Sequence, residues 1–356
     1  MAAKIERCTL CGLQQRLPFD APSLYCPVCR AVTSLRPNNG DGFPVRYPQW
    51  QPISYLQPQR RPQPPRYPQP PPIIRAPPPV GSLSKKRAVL CGVNYYSHHK
   101  ILKASANDIN SMKYFLLQRM KFPIESVIVL TEEERDPNRI PTKHNIRVAL
   151  RWLLQGCQAG DSLVFHYSGH GSKVRDTNGD EIDGFDESLC PVDFETEGKI
   201  LDDEINDIIV KPLPRGAKLH AIIDTCFSGT LLDLPFLCRI NWESGDYNWE
   251  DHRVAAYKGT SGGMAFCFSA CDDDQNSGET TLFTGEPISV LTNSFIRTLE
   301  NEPRLTYGNL LYSMRKNIFE AQNEARRRDP HLSFESQEPL LSSSEAFDIY
   351  SRQFKL

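Results

Sequence analysis

The sequence lacks the features that would place it in a membrane or in the secretory route. No run within its 356 residues approaches the roughly 18 consecutive apolar residues of a membrane span. The first residues, MAAKIERCTLC, lack the apolar stretch of a secretory signal, and the chain contains no N-x-[ST] glycosylation site. We therefore expect a cytoplasmic location, with the nucleus as a second compartment, and no membrane partner.

The chain also lacks a charge excess and a paired set of cysteines. Its 41 Lys and Arg residues nearly balance its 43 Asp and Glu residues, and a net charge of −2 argues against a nucleic-acid partner. The 11 cysteines are an odd number, and four of them form two CxxC pairs. Without a signal peptide, this usage favours metal binding and free thiols over disulfides.

The two CxxC pairs predict a zinc site in residues 1–36. The four thiols belong to Cys8, Cys11, Cys26 and Cys29. Four thiolates at this spacing suit tetrahedral zinc, and a site closed by four protein ligands is structural. So short a segment needs such a metal to hold a fold.

Residues 37–84 are dominated by proline. The stretch 37–80 holds 15 of the 29 prolines, as in QPQRRPQPPRYPQPPP. Proline fixes φ and removes a backbone donor, so we expect an extended, disordered linker here. Two roles stay open, a plain spacer and a strip that docks into aromatic-lined grooves.

From Lys85 onward, short apolar runs alternate with helical periodicity. Strands are predicted at 87–93, 126–130, 162–167, 218–224 and 264–270, and helices at 105–120, 142–157, 202–210, 288–300 and 306–326. Such alternation predicts an α/β domain with a largely parallel sheet. Functional sites in such sheets lie at the carboxyl ends of the strands.

Two of these strands end in reactive side chains flanked by serine and glycine. One runs into HYSGHGS with His170, and the other into DTCFSGT with Cys226. A thiol must lose its proton to attack a carbonyl, and an imidazole is its natural partner near neutral pH. Each residue alone is compatible with simple packing, but together at corresponding strand ends they predict a nucleophile and its base.

HYSGHG followed by DxCxSG, with an acidic segment between them, resembles the metacaspases. The cysteine-rich and proline-rich leader is similar to that of the plant type I branch, whose zinc finger is of the kind found in plant cell-death regulators. The resemblance implies a caspase-like fold over residues 85–356, with a mostly parallel central sheet flanked by helices. It also implies that Cys226 is the nucleophile, that His170 is the general base and acid, and that the N–H groups of Gly171 and Cys226 form an oxyanion hole. Phe227 departs from the family, which has histidine there.

The same resemblance implies an acidic pocket for the residue before the cleaved bond. Its members here are Asp108, Ser168, Asp224 and Ser105. Two carboxylates select a guanidinium or ammonium group, so cleavage after Arg or Lys is expected. For Asp108 a helix N-cap role stays open beside the pocket role.

Calcium is expected as an activator. Residues 176–187, DTNGDEIDGFDE, place Glu181 where an EF-hand loop needs glycine, so we predict a hairpin or loop instead. Calcium-dependent metacaspases use acidic residues that match Asp186, Asp202, Asp203 and Asp233. The alternative for Asp202 and Asp203 is that they start a helix.

Residues 236–262 are polar and without clear periodicity, and we predict a linker between a large part, about 85–235, and a small part, about 263–356. Within it, Arg239, Arg253 and Lys258 are candidate self-cleavage points.

The sequence thus predicts a calcium-activated, self-processing cysteine endopeptidase with a role in cell death or stress, active as a monomer on proteins with Arg or Lys before the cut bond. The alternative is a weakly active or inactive adaptor that regulates cell death by binding partner proteins through its finger and proline-rich segment.

Overall fold

The computed structural model describes residues 3–7, 14–18, 23–25, 32–34, 85–179, 181, 184–226, 228–241, 243–252, 258–270, 279–280, 287–302, 304–328 and 338–356. In the N-terminal part these are two antiparallel hairpins. Strand β1 (Ala3–Arg7) pairs with β2 (Gln14–Pro18), and β3 (Ser23–Tyr25) pairs with β4 (Val32–Ser34). The four predicted zinc ligands and the proline-rich linker lie outside the described residues, so both stay predictions.

The remaining elements alternate between strands and helices as the sequence predicts. The first half contains β5 (Lys86–Gly92), α1 (Ser105–Gln118), β6 (Val127–Thr131), α2 (Lys143–Leu154), β7 (Ser162–Ser168), β8 (Gly171–Arg175), β9 (Phe185–Leu189), α3 (Phe194–Glu197), β10 (Ile200–Leu201), α4 (Asp202–Ile205) and β11 (Lys218–Asp224). The second half contains β12 (Phe236–Ile240), β13 (Tyr247–Asp251), β14 (Met264–Ser269), β15 (Glu279–Thr280), β16 (Ile288–Ser289), α5 (Val290–Asn301), α6 (Tyr307–Arg328) and β17 (Leu340–Ser343).

An eight-stranded sheet forms the centre, in the order β13-β12-β17-β14-β11-β7-β5-β6. The five strands from β14 to β6 pair in parallel. Strands β5, β7, β11 and β14 are apolar and buried along nearly their whole length, which is typical of a parallel sheet covered on both faces, whereas the edge strand β6 is fully buried only at Leu130 and Thr131.

The two faces of the sheet carry separate cores. Alternate strand residues such as Val89 and Phe165 pack with α2 on one face, while Leu90 and Val164 pack with α1, α5 and α6 on the other. Among the helices in the described part of the chain, none combines the length and the apolar character needed to cross a bilayer.

The segment predicted as a linker contributes strands to the sheet. Strands β12 and β13, at 236–251, extend it through antiparallel pairing, and β17 joins β12 to β14. The predicted linker over 236–262 thus contains two strands of the sheet, which its lack of periodicity did not indicate. The outermost strand β13 has the sequence YNWED and is only half-buried, since an edge strand needs no continuous apolar run.

Residues 202–210 are helical as predicted, but only the first turn is α-helical. It continues as a π-helix over Asn206–Val210. Segments of this kind occur often at functional sites. The Nδ2 of Asn206 donates to the carbonyl oxygens of Leu232, Asp233 and Lys258, which ties two distant loops to this helix.

Candidate active site

His170 and Cys226 follow neighbouring parallel strands. Asp224 at the end of β11 pairs with Ser168 at the end of β7, so the two segments leave the sheet side by side. A Cβ on Gly171 would lie 2.1 Å from the Cys226 carbonyl oxygen and 2.4 Å from Thr225 Oγ1. Only glycine allows this approach, which brings the backbone beyond His170 against that of Cys226.

The His170 ring is held by the loop that follows β5. Its Nε2 lies 2.8 Å from the Lys100 carbonyl oxygen. A carbonyl can only accept, so Nε2 carries the hydrogen, and the lone pair of the neutral ring is on Nδ1. The ring stacks on Tyr95 with centroids 4.5 Å apart. This tautomer is the one that can take a proton from a thiol through Nδ1.

Asp108 and Asp224, hereafter the specificity pair, are buried near these residues. Ser168 Oγ donates to Asp108 Oδ2 at 2.7 Å, and Ser289 donates to both oxygens of Asp108 through its hydroxyl and its N–H. Thr292 donates to Asp224 Oδ2 through its N–H at 2.9 Å and its hydroxyl at 2.8 Å. The N-terminal end of α5 therefore faces both carboxyl groups and supplies N–H and hydroxyl donors to them.

Every hydrogen-bond donor named for the specificity pair is a neutral group. Burial, followed by the nearby charge of Asp224, raises the pKa of Asp108 well above its usual range. Asp108 lies in the first turn of α1, whose N-cap is Ala104, so the alternative N-cap role for Asp108 was wrong. Ser105, the first residue of α1, is also buried.

A second group of neighbouring carboxylates is present, which we call the acidic cluster. Its members are Glu181, Asp202, Asp203 and Asp233. One oxygen each from Glu181, Asp202 and Asp233 lie within 4.8 Å of one another. Asp202 begins α4, which agrees with the helix alternative, and it accepts a hydrogen bond from the N–H of Glu187 at 2.6 Å. Asp186 is buried in β9, beside Glu187.

Lys258 inserts its ammonium group into the acidic cluster. Its Nζ lies 2.5 Å from Glu181 Oε1, 2.9 Å from Asp233 Oδ1 and 3.9 Å from Asp203 Oδ1. Burial and the neighbouring Asp233 raise the pKa of Asp202, and burial raises the pKa of Asp233 although Lys258 opposes that rise. Oxygen Oδ2 of the buried Asp233 has no hydrogen-bond partner. An all-oxygen donor set with an unsatisfied buried carboxylate oxygen fits a hard cation such as Ca²⁺.

The other candidate residues fall in different surroundings. Arg239 lies on β12 and pairs with Glu250 of β13 at 3.1 Å. Arg253 and Phe227 lie outside the described residues. Strands β8 and β9 pair in an antiparallel hairpin, which agrees with the prediction of a hairpin or loop at 176–187.

Sequence reasoning missed six residues in these sites. They are Tyr95 and Lys100 beside His170, Ser289 and Thr292 beside the specificity pair, and Glu181 and Lys258 in the acidic cluster. The first pair follows the carboxyl end of β5, so the strand-end rule applied to VNYY would have found Tyr95. The hydroxyls of Ser289 and Thr292 open a predicted helix, which is a signal for donors near a helix N-terminus.

An imidazole and a thiol at adjacent strand ends form the pair that a cysteine peptidase uses. Residues 86–235 match the family described as "Metacaspase, peptidase C14 domain". The chain is 53% identical over 363 residues to Metacaspase-3 of Arabidopsis thaliana, covering 100% of both chains, and 46% identical to Metacaspase-1 of the same plant over 99% of this chain and 96% of the relative. Protein GSU0716 from Geobacter sulfurreducens, a solved structure 20% identical in sequence, superposes with a TM-score of 0.49 over 76% of this chain and 98% of its own.

The chain belongs to the metacaspase family, and is thus a cysteine-type endopeptidase with a caspase-like fold. Its sequence is similar to the plant members over their full length.

Proposed function

We propose that the chain cleaves peptide bonds after Arg or Lys, with Cys226 as nucleophile and His170 as general base and acid. The observation that carries the proposal is the specificity pair beside these strand ends. Asp108 and Asp224 are buried and accept hydrogen bonds from Ser289 and Thr292, and two carboxyl groups held in this way would select a cationic side chain. A guanidinium group fits two carboxylates best because its planar fork donates to both.

The proposed reaction begins when His170 takes the Cys226 thiol proton on Nδ1. The thiolate attacks the substrate carbonyl carbon, and the N–H groups of Gly171 and Cys226 bind the oxyanion, each contributing about 3 kcal/mol. The imidazolium returns its proton to the amine as the C–N bond breaks. Water, deprotonated by His170, then hydrolyses the thioester and releases the acid and the free thiol.

Peptide hydrolysis by the purified full-length chain tests this proposal. Three fluorogenic peptides differ only in Arg, citrulline or Asp before the cleaved bond, and each is given to the wild type, Cys226→Ala and His170→Ala. We expect hydrolysis of the Arg peptide by the wild type alone. Equal rates on Arg and citrulline would overturn the acidic specificity, and activity of Cys226→Ala would overturn the nucleophile.

Calcium activation through the acidic cluster is a second part of the proposal. Asp202, Asp203 and Asp233, with Asp186 and Glu181 nearby, would hold the ion, which would supply positive charge to buried carboxylates. Two contacts support a link to the active site: Thr230 Oγ1 donates to Glu187 Oε2 at 2.6 Å, and Glu187 lies on the strand paired with β8, which begins at Gly171. Glu187 in turn donates its N–H to Asp202 of the cluster, so it connects the cluster to the segments that follow His170 and Cys226.

Calcium and zinc are tested by different measurements on the same protein. Isothermal titration with Ca²⁺, with Mg²⁺ as the comparison ion, measures binding, and peptidase assays in calcium and in excess chelator measure activation. Full activity in chelator would overturn calcium dependence. Elemental analysis should find one zinc per chain, lost when Cys8 and Cys11 are both changed to Ser.

Self-processing within 236–262 and a role in regulated cell death or stress complete the proposal. Intact-mass analysis of the wild type and Cys226→Ala after calcium addition tests for cuts after Arg239, Arg253 or Lys258. Fragments present in Cys226→Ala as well would show that another protease made them.

A further inference from the structure

The loop after β5 is fixed by one carboxylate. Glu132, which follows β6, accepts from three successive backbone N–H groups: those of Asn94 at 2.5 Å, Tyr95 at 2.6 Å and Tyr96 at 3.0 Å. Three converging N–H groups form an anion-binding nest, here filled by a side chain of the same chain. The nest requires unusual backbone geometry at its centre.

Tyr95 occupies that centre with φ +58°, in the left-handed region that non-glycine residues avoid. Such a conformation costs on the order of 1 kcal/mol and persists where the surroundings fix it. The three hydrogen bonds to Glu132 supply that constraint. A strained residue held in this way indicates that its side chain direction matters.

The Tyr95 side chain contacts His170, the residue proposed as general base. Its ring is only 1% exposed and stacks on the His170 imidazole at an interplanar angle of 29°. Its hydroxyl accepts from the His170 N–H at 2.8 Å and donates to the Cys190 carbonyl at 2.6 Å. Tyr95 therefore fixes both the backbone and the ring plane of His170.

The same loop also supplies the carbonyl that sets the tautomer of His170. Within the loop, the Asn94 side chain and backbone bond to Leu102, which closes residues 94–102 into one unit carrying the Lys100 carbonyl. Glu132 anchors the base of this unit. The Glu132 carboxylate thus holds the backbone of Tyr95, whose ring stacks on His170. It also holds the start of the loop that presents the Lys100 carbonyl.

We propose that Tyr95 is a positioning residue for His170 and that Glu132 holds Tyr95 and its loop in the active arrangement. The proposal rests on the catalytic role proposed for His170. Neither residue takes part in the bond changes; each restricts the imidazole to the orientation in which Nε2 meets Lys100 and Nδ1 can accept a proton. Loss of this restriction lowers the fraction of molecules that can react, which reduces kcat more than it changes KM.

Four variants of the full-length chain separate the parts of this proposal. Tyr95→Leu removes the ring, Tyr95→Phe keeps the ring but removes the hydroxyl, and Glu132→Gln keeps the shape but removes the charge. Tyr96→Phe is the matched control, because Tyr96 is in the same loop with its side chain half exposed. Thermal unfolding and circular dichroism identify any variant that fails to fold.

Two readouts are measured for each variant: kcat and KM on the Arg peptide, and the pH profile of Cys226 alkylation by iodoacetamide. We expect Tyr95→Leu to lower kcat about 100-fold and Glu132→Gln about tenfold, with KM within about threefold of the wild type. Tyr95→Phe should recover most of the activity lost in Tyr95→Leu. The alkylation profile should shift in Tyr95→Leu and Glu132→Gln but not in Tyr96→Phe, because the profile reports the imidazole beside the thiol.

A folded Tyr95→Leu and Glu132→Gln with wild-type kcat and alkylation profile would overturn the inference. Should Tyr95→Leu not fold, Glu132→Gln and Tyr95→Phe decide the question by the same readouts. Failure of the proposed function has another signature: the wild type does not hydrolyse the Arg peptide, or His170→Ala shows the same alkylation profile as the wild type.

Discussion

The specificity pair and the acidic cluster both bury carboxylates, but they balance the charge in different ways. Asp108 and Asp224 receive hydrogen bonds from Ser168, Ser289 and Thr292, all neutral donors. The acidic cluster instead contains Lys258, an ammonium group from the chain itself. Neutral donors orient a carboxylate without cancelling its charge, whereas an internal cation cancels it until another cation takes its place. Under the proposed function, the pair would bind a cationic substrate side chain, and calcium would displace Lys258 from the cluster.

Asp224→Asn should have the largest effect because it removes a buried carboxylate at the strand end that leads to Cys226. We expect kcat/KM on the Arg peptide to fall by about 100-fold, in the range found when one partner of a buried ion pair is lost. The citrulline peptide is the control, since its neutral side chain gains little from the charge. An equal loss on both peptides would mean that Asp224 acts through structure alone.

Asp233→Asn should weaken calcium binding by about tenfold or more, since it removes a buried ligand oxygen with no partner of its own. Isothermal titration gives the dissociation constant. Asp207→Asn is the matched control, because Asp207 is exposed and pairs with Lys211, four residues further along the chain. Unchanged affinity in Asp233→Asn would remove this residue from the calcium site.

Lys258→Met tests the exchange directly, because it removes the competing cation and keeps an apolar stem of similar length. Calcium affinity should rise by about tenfold, which corresponds to about 1.4 kcal/mol. In chelator, Lys258→Met should have a lower Tm than the wild type. Adding calcium should raise the Tm of Lys258→Met by more than it raises the Tm of the wild type. A dissociation constant equal to that of the wild type would contradict competition at this site.

Asp108→Asn should have the smallest effect of the four substitutions, which is a small increase in stability. Burial and Asp224 raise the pKa of Asp108, so the folded state holds a proton that the unfolded state loses above pH 4 or so. Stability from this group therefore falls as pH rises, and asparagine removes that dependence. We expect the Tm near pH 7.5 to rise by about 3 °C, equivalent to about 1 kcal/mol, while activity on the Arg peptide falls. If the Tm difference between Asp108→Asn and the wild type is the same at pH 5 and at pH 7.5, the raised pKa of Asp108 is contradicted.

The fold was predictable wherever burial leaves a periodic pattern. Strands β5, β7, β11 and β14 are apolar runs, and α2 follows a Thr142 N-cap, so their predicted positions differ from the observed ones by a few residues at most. Strands β12, β13 and β17 of the central sheet were not predicted. Their residues pair at the antiparallel end of the sheet, where partner strands rather than their own sequence decide that they are extended.

The sequence by itself determined which groups can react and near which edge of the sheet they lie. His170 and Cys226 follow apolar strands, and glycine at 171 is required by the close approach of the Cys226 backbone. Only the tertiary structure decided what surrounds them. Tyr95 reaches His170 across 75 residues of chain, Ser289 reaches Asp108 across 181, and Lys258 reaches Glu181 across 77. Hydrogen bonds and ion pairs between such distant residues leave no local period in a sequence, because they depend on which strands become neighbours once both faces of the sheet are covered.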